Sequence, residues 1–259
     1  MRNGAERVLI AGAGPVGLVA ACSLADEGIP VTVVEASRDL PKDLRASTFH
    51  PPTLDMLERF DCTQRLIEQG LVCPQWQFRD RHEGLVATFN LGMLASDTGH
   101  PYRLQCEQWK LTELLRDRMQ GSDMVEIIYE AEAMDATQDD DGATLRVRRP
   151  DGSVEAMQAP YLIAAEGARS PIRKSLGIDF EGMTIPEIFL SMSTHFDFAD
   201  AIPDLAPIAY VTDPNEWAVL LRTRSLWRVL LPADPIQTEE QIKDFDTMQS
   251  RLQALCPNP

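Results

Sequence analysis

Apolar residues near the start of the chain come in blocks rather than alternations. Val8-Leu9-Ile10-Ala11 is an unbroken apolar run, as expected of a strand buried on both faces. Gly12-Ala13-Gly14-Pro15-Val16-Gly17 follows, then a helix-forming stretch from Leu18 to Glu27, a stop at Gly28 and a second apolar run from Val31 to Val34. The predicted order is strand, glycine turn, helix, strand. In that geometry Gly12 makes the tight turn, Gly14 admits a diphosphate to the backbone, and Gly17 lets the helix pack close to the strand. The orphan amides of the helix start, that of Val16 among them, then face the anion together with the positive end of the helix dipole. Glu35 closes the second strand, where a carboxylate accepts both ribose hydroxyls of an adenosine and repels a 2′-phosphate. The set predicts binding of an adenine dinucleotide.

Beyond Glu35 the strand–helix alternation of a nicotinamide dehydrogenase is not continued. A polar stretch from Ala36 to Ala46 leads to Pro51-Pro52 and a helix over about Thr53 to Phe60, with Leu54, Leu57 and Phe60 on its apolar side. A further helix is expected over Trp109 to Met119. Asp139-Asp140-Asp141-Gly142 and Pro150-Asp151-Gly152 read as turns separating strands over Thr144 to Arg149 and Ser153 to Ala159, a meander leading into Tyr161 to Ala165. The acidic triplet lacks the terminal glutamate of a calcium loop and reads as a solvated hairpin tip. From Ile185 the period becomes two, with Ile188, Leu190, Met192, Phe196 and Phe198 on one face and Ser191, Ser193, His195 and Asp197 on the other. Strands near Pro207 to Val211, Trp217 to Arg222 and Leu226 to Leu231 extend that antiparallel sheet, and a single helix is expected over Glu239 to Leu255.

The balance of 24 Lys and Arg against 40 Asp and Glu, net −16, makes nucleic acid an unfavourable partner. The five cysteines show no CxxC pairing, which argues against a disulfide framework or a zinc site, and the four histidines lack ligand spacing, so no metal is expected. A reducing cytoplasm fits that usage. Val19-Ala20-Ala21-Cys22 resembles a lipoprotein cleavage box, but the apolar run is broken by Gly12, Gly14, Pro15 and Gly17, and cleavage there would cut a structural unit in half, so neither export nor a membrane partner is expected.

Three segments resemble the flavoprotein aromatic hydroxylases of the para-hydroxybenzoate hydroxylase type. In Leu44-Arg45-Ala46 the family places an arginine on the flavin nucleotide. In Tyr102-Arg103-Leu104-Gln105-Cys106-Glu107-Gln108 it places a glutamine on the cofactor, and spacing to Leu114-Leu115 favours Gln108 over Gln105. The third segment, Tyr161 to Arg173, is similar to the family's Asp-Gly motif, with Ala164-Ala165-Glu166-Gly167 where relatives have Gly-Ala-Asp-Gly, so the carboxylate of Glu166 sits one methylene further out. The resemblance implies an α/β fold: a Rossmann-type FAD-binding domain in two segments, 1–74 and 101–180, with a second, antiparallel substrate-domain sheet and C-terminal helix from 75–100 and 181–259. It implies FAD, with NADH or NADPH as reductant and O2 as co-substrate, hydroxylating a small aromatic compound. The family's later Gly-Asp motif has no counterpart, since no glycine here precedes an aspartate. The chain is therefore expected to be C-terminally truncated, the N-terminal part of such an enzyme or a shortened member.

Catalytic side chains are not legible in the sequence, as expected where the cofactor carries the chemistry. His50 and His195 are the candidates for acid–base work. Ser47 stands where some phenol-hydroxylating relatives have an acid. Two rival readings remain: a non-catalytic nucleotide-binding polypeptide that keeps Gly12 to Glu35, and a nicotinamide dehydrogenase. Substrate identity, the choice of nicotinamide and homo-oligomerisation are left open.

Overall fold

The computed structural model describes residues 7–42, 46–185 and 187–256. Its contacts divide the chain into two compact units, each made of two segments: unit 1 from 1–45 and 108–182, unit 2 from 46–107 and 183–259. Residues 46–74 and 101–107, expected with the nucleotide-binding domain, pack in unit 2.

In chain order, unit 1 begins with β1 (Val8–Ala11), α1 (Pro15–Asp26) and β2 (Val31–Val34). Unit 2 follows with β3 (Thr48–Phe49), α2 (Pro51–Glu58), α3 (Thr63–Gln69), β4 (Leu71–Cys73), β5 (Gln75–Asp80), β6 (Gly84–Asn90) and β7 (Arg103–Gln105). The chain returns to unit 1 through α4 (Gln108–Met119), β8 (Val125–Ile128), β9 (Glu132–Asp139), β10 (Gly142–Arg148), β11 (Val154–Ala159), β12 (Leu162–Ala164) and α5 (Pro171–Ser175). Unit 2 is completed by β13 (Ile188–Thr194), α6 (Phe198–Ala201), β14 (Ile208–Thr212), β15 (Ala218–Arg222), β16 (Trp227–Ala233), α7 (Glu239–Ile242) and α8 (Phe245–Ala254).

Unit 1 is built on a parallel sheet in the order β12-β1-β2-β8, with Ile10 registered against both Val33 and Ile163. Every residue of β1 and β2 is buried, which is why both read as unbroken apolar runs. Pro15 at the first helical position starts α1, and Gly28, at φ +75°, follows its end. The meander β9-β10-β11 packs Ala136, Leu145, Val147 and Ala159 against Leu9, Ala11 and Val34 of the parallel sheet. Its first turn is the acidic triplet, closed by the Asp141 amide donating to Asp139 Oδ1 (2.9 Å) with Gly142 at φ +136°.

Unit 2 is built on a six-stranded sheet, β13-β16-β15-β14-β5-β6, in which only β14 and β5 run parallel, so residues 75–90 do join the second sheet. One face is closed by α6 and α8, burying Leu190, Met192, Leu220, Val229, Leu231 and Phe198. Two expectations are corrected. The period-two pattern ends at Thr194: Phe196 is exposed, and Asp197 leaves the strand to cap α6 through the Ala199 amide. The single C-terminal helix is two helices, because Asp244 accepts from the Thr247 amide (2.9 Å) and starts α8 afresh, while Thr238 and Gln241 form a reciprocal cap on α7.

Candidate functional site

The expected cradle forms at the carboxyl ends of the parallel strands, the usual ligand crevice of such sheets. Gly12 has φ +100°, and a Cβ there would lie 2.6 Å from the Ala165 carbonyl oxygen, so the turn both needs glycine and is pressed against the end of β12. A Cβ on Gly17 would fall 1.9 Å from the Gly12 carbonyl oxygen; helix and turn touch backbone to backbone there. Gly14 differs. It caps α1 at φ −70°, and nothing lies within 4 Å of the position its Cβ would occupy. The open side of the turn is the side of Gly14.

The start of α1 lacks both a side-chain cap and an acidic residue in its first turn. Leu18 donates to the Gly14 carbonyl (3.0 Å), which leaves the amides of Gly14, Val16 and Gly17 without a partner among the described residues, and Val16 is 68% exposed. Unpaired donors and the helix dipole therefore converge on open space, an arrangement that suits a diphosphate.

Two carboxylates border the cradle. Glu35 is fixed by backbone: its Oε2 accepts from the Ala13 amide (2.8 Å) and its Oε1 from the Ser37 amide (3.0 Å). Each oxygen keeps a lone pair, enough to receive two sugar hydroxyls. Glu166 follows β12, next to the glycine turn, with its Cα 3.1 Å from the ideal Cβ of Gly12. Its Oε1 accepts from the Ser170 hydroxyl and the Ile172 amide (3.1 Å) and so caps α5. Its Oε2 is buried with no partner. The longer side chain thus serves the helix and still holds one acceptor unsatisfied, as expected where a ligand hydroxyl completes the site.

Gln108 is the first residue of α4, half-buried, with no bonded partner for its carboxamide among the described residues. Gln105, the other candidate, is fully buried in β7, and its amide donates to Thr48 Oγ1 (2.9 Å). Arg45 lies outside the described residues. Ser47 is buried and donates to Gln105 Oε1 (3.4 Å).

The histidine candidates belong to unit 2. His195 is exposed, with Nδ1 3.2 Å from the Ser225 carbonyl oxygen. His50 is the residue before α2; partial desolvation, then the charge of Arg103, hold its imidazolium below the ordinary range. Sequence reasoning passed over Arg103 itself, which donates to the Tyr210 hydroxyl (3.3 Å) and lies 5.1 Å from the Trp76 ring centre. It also passed over the buried pair Glu107 and Arg228, in which Glu107 offsets part of the cost of burying the guanidinium. Nothing in the local sequence marks these residues, because Arg103 and Tyr210, like Glu107 and Arg228, come from distant parts of the chain.

A βαβ cradle at a parallel sheet, with a carboxylate on the second strand and another after β12, defines a dinucleotide-binding protein carrying a second sheet unit. Residues 6–253 match the FAD binding domain family, and the chain belongs to it. It is 30% identical over 254 residues to para-nitrophenol 4-monooxygenase of Pseudomonas sp. (strain WBC-3), covering 97% of this chain and 62% of that protein. It is 29% identical to 6-hydroxy-3-succinoylpyridine 3-monooxygenase HspB of Pseudomonas putida, covering 92% of this chain and 61% of the relative. The crystal structure of p-nitrophenol 4-monooxygenase PnpA from Pseudomonas putida DLL-E4 superposes with a TM-score of 0.91 at 29% identity, over 98% of this chain and 65% of that one. The chain thus spans a little under two thirds of the length of these relatives. Among the described residues no helix is long and apolar enough to cross a membrane.

Proposed function

We propose that this chain forms the cofactor-binding and substrate-sheet portion of an FAD-dependent monooxygenase that uses NADH or NADPH and O2 to hydroxylate a small aromatic compound. The observation that carries the reading is the cradle of Gly14, Val16 and Gly17 amides flanked by Glu35 and the unsatisfied Glu166 oxygen, in a chain that belongs to an FAD-binding family. Relatives named as monooxygenases match across both units, which gives the non-catalytic reading no support.

The residues present fit FAD. The α1 amides would hold the diphosphate, Glu35 the adenosine ribose, and Glu166 and Gln108 the flavin side. Bound FAD would supply the redox chemistry, accepting a hydride from the nicotinamide and activating dioxygen. The protein's own part is to grip the diphosphate through preformed donors, so that little ordering is needed on binding, and to orient the sugar by charge-assisted hydrogen bonds. Glu35 disfavours a second phosphate on the ribose by like-charge repulsion.

The test is direct. The purified chain is expected to take up FAD with the yellow absorbance of a bound flavin and to oxidise NADH or NADPH in the presence of oxygen. A colourless chain that binds no added FAD overturns the reading.

A further inference from the structure

We propose that residues 92–102 form a strap fastened to the rest of unit 2 at one place, His100 between Asp55 and Glu58 of α2, and that the protonation state of His100 sets whether this fastening is firm or loose. The inference goes beyond the flavin reading and does not depend on it.

The strap joins β6 to β7 and is mostly exposed, with Met93 at 84%. Its turns close on themselves: the Ala95 amide donates to the Gly92 carbonyl (3.2 Å), the Asp97 and Thr98 amides to the Leu94 carbonyl (2.9 and 3.2 Å), and the Tyr102 amide to the His100 carbonyl (2.7 Å). At its root the Gly92 amide donates to Asn90 Oδ1 (2.8 Å). Among the described residues, the other hydrogen bonds and ion pairs by which the strap meets the chain go to α2, and most of them to one carboxylate. Asp55 Oδ2 accepts from the Thr98 hydroxyl (2.6 Å), Asp55 Oδ1 lies 2.7 Å from His100 Nδ1, and the Gly99 amide faces the same carboxylate. His100 is buried at 7% exposure, edge-on to the Tyr102 ring (centres 5.8 Å apart), with its Nε2 3.5 Å from Glu58 Oε1.

The ring of His100 thus stands between two anions. A neutral imidazole carries one N–H, so with Nδ1 donating to Asp55 the Nε2 lone pair points at Glu58 and the two repel. An imidazolium donates to both and attracts both. Thr98, then His100, hold the Asp55 carboxyl below its ordinary range, and burial, then the charges of Asp55 and Glu58, push the Tyr102 phenol up, so neither of these groups changes charge near neutral pH. Asp61, Thr63 and Gln64 line, with Glu58, the cleft onto which His100 opens, and that cleft gives the proton a route to solvent. Because the fastened state favours the imidazolium, its stability is complete at low pH and is lost as pH rises through the imidazole titration. β6 stays paired with β5, and β7 with β3 and β4, so release of the strap is local rather than an unfolding of the sheets.

The test places a dye on the strap of the full chain. Met93→Cys is labelled with a thiol-reactive dye whose emission is constant over the pH range used; the native cysteines at 22, 62, 73, 106 and 256 are all buried. Time-resolved anisotropy reads strap motion on the nanosecond scale, with thermal melting by circular dichroism as the control of fold. As pH rises from about 5.5 to about 8.5 the freely rotating fraction is expected to grow at least twofold, in a single one-proton step. His100→Gln should remove the step, Asp55→Asn should leave the strap loose at both ends of the range, and Glu58→Gln, at an exposed position, should move the step to lower pH. A fraction that stays constant in the labelled parent, that grows toward acid, or that keeps its step in His100→Gln overturns the proposal. If His100→Gln melts early, a step at unchanged pH in Glu58→Gln overturns it by itself. No arm contains flavin, so a chain that binds no FAD sinks the oxygenase reading and leaves this one standing.

Discussion

Gly14 and Gly17 separate folding from cofactor binding, because the same added methyl group meets different atoms at the two positions. In Gly17→Ala the new Cβ falls 1.9 Å from the Gly12 carbonyl oxygen, whereas ordinary contact begins near 3.4 Å. The start of α1 must withdraw from the turn by about 1.5 Å, and the obstacle is backbone, which cannot rotate aside. Overpacking of this kind costs about 1–3 kcal/mol, which for a chain of this size lowers the melting temperature on the order of 5 °C. In Gly14→Ala the methyl meets nothing within 4 Å and φ −70° suits alanine, so the fold should lose no more than the few tenths of a kcal/mol to about 1 kcal/mol that separate these residues at a helix N-cap. That methyl does occupy the approach to the α1 amides. Displacing a diphosphate from them by part of a bond length forfeits about 1.5–3 kcal/mol of charge-assisted hydrogen bonding, or roughly tenfold to a hundredfold in affinity.

The assay is thermal melting by circular dichroism without flavin, beside titration of FAD by its fluorescence. Gly17→Ala should melt early, and Gly14→Ala should melt near wild type while binding FAD weakly. A Gly17→Ala chain that melts within a degree of wild type refutes the close approach. A Gly14→Ala chain with undiminished FAD affinity refutes the cradle.

Burial pushes the Cys73 thiol up to about 12, so at pH 8 only on the order of one molecule in ten thousand carries the thiolate, and native Cys73 should resist a thiol reagent until the chain unfolds; mass spectrometry showing prompt native labelling contradicts this. Asp197 is partly desolvated, which raises its pKa, but the Trp227 indole (3.0 Å), the Ala199 amide (3.1 Å) and Arg222 (2.8 Å) together outweigh that and hold the carboxyl below the usual range. Because the folded value is the lower one, its contribution is complete above the unfolded value near 3.8 and is lost as pH falls through the folded value. Asp197→Ala should cost about 1–3 kcal/mol at neutral pH by denaturant melting and less in acid, and a cost that grows in acid refutes the assignment.

The β1–α1–β2 unit was readable because each of its requirements is local: strands buried on both faces give continuous apolar runs, and a Cβ added at Gly17 or Gly12 would fall 1.9 or 2.6 Å from a backbone oxygen, which leaves no residue but glycine. The break between α7 and α8 was also local but easily overlooked, since Thr238 with Gln241 and Asp244 with Thr247 are caps hidden in a polar stretch whose periodicity runs on across them. Phe196 and Phe198 misled for a related reason. Their spacing from Met192 obeys the strand period, yet Asp197 between them satisfies a helix start, and a cap overrides an alternation that has no further ladder to support it.

The two halves of the candidate chemistry differ in legibility for a physical reason. A diphosphate is held by main-chain amides, so the residues that matter are the ones whose side chains must be absent, and glycine spacing records them. The cluster of Trp76, Phe78, Phe89, Arg103 and Tyr210 is assembled instead by side chains from β5, β6, β7 and β14, four strands spread over the sequence from Gln75 to Thr212, whose proximity exists only after register is fixed. A one-residue slip of β5 would send Trp76 and Phe78 to the closed face and bring Gln77 and Arg79 to Arg103, replacing an aromatic wall by a second cation. What excludes that slip is the closed face, where Arg79 and Gln77 tie down the loop at residues 203–206. The ring cluster of the open face is therefore held in register by hydrogen bonds on the opposite side of the sheet. Gln77→Leu, which strips the buried Ala206 amide and Arg79 of their acceptor, should cost about 1–3 kcal/mol by denaturant melting, and an unchanged melting curve refutes this role.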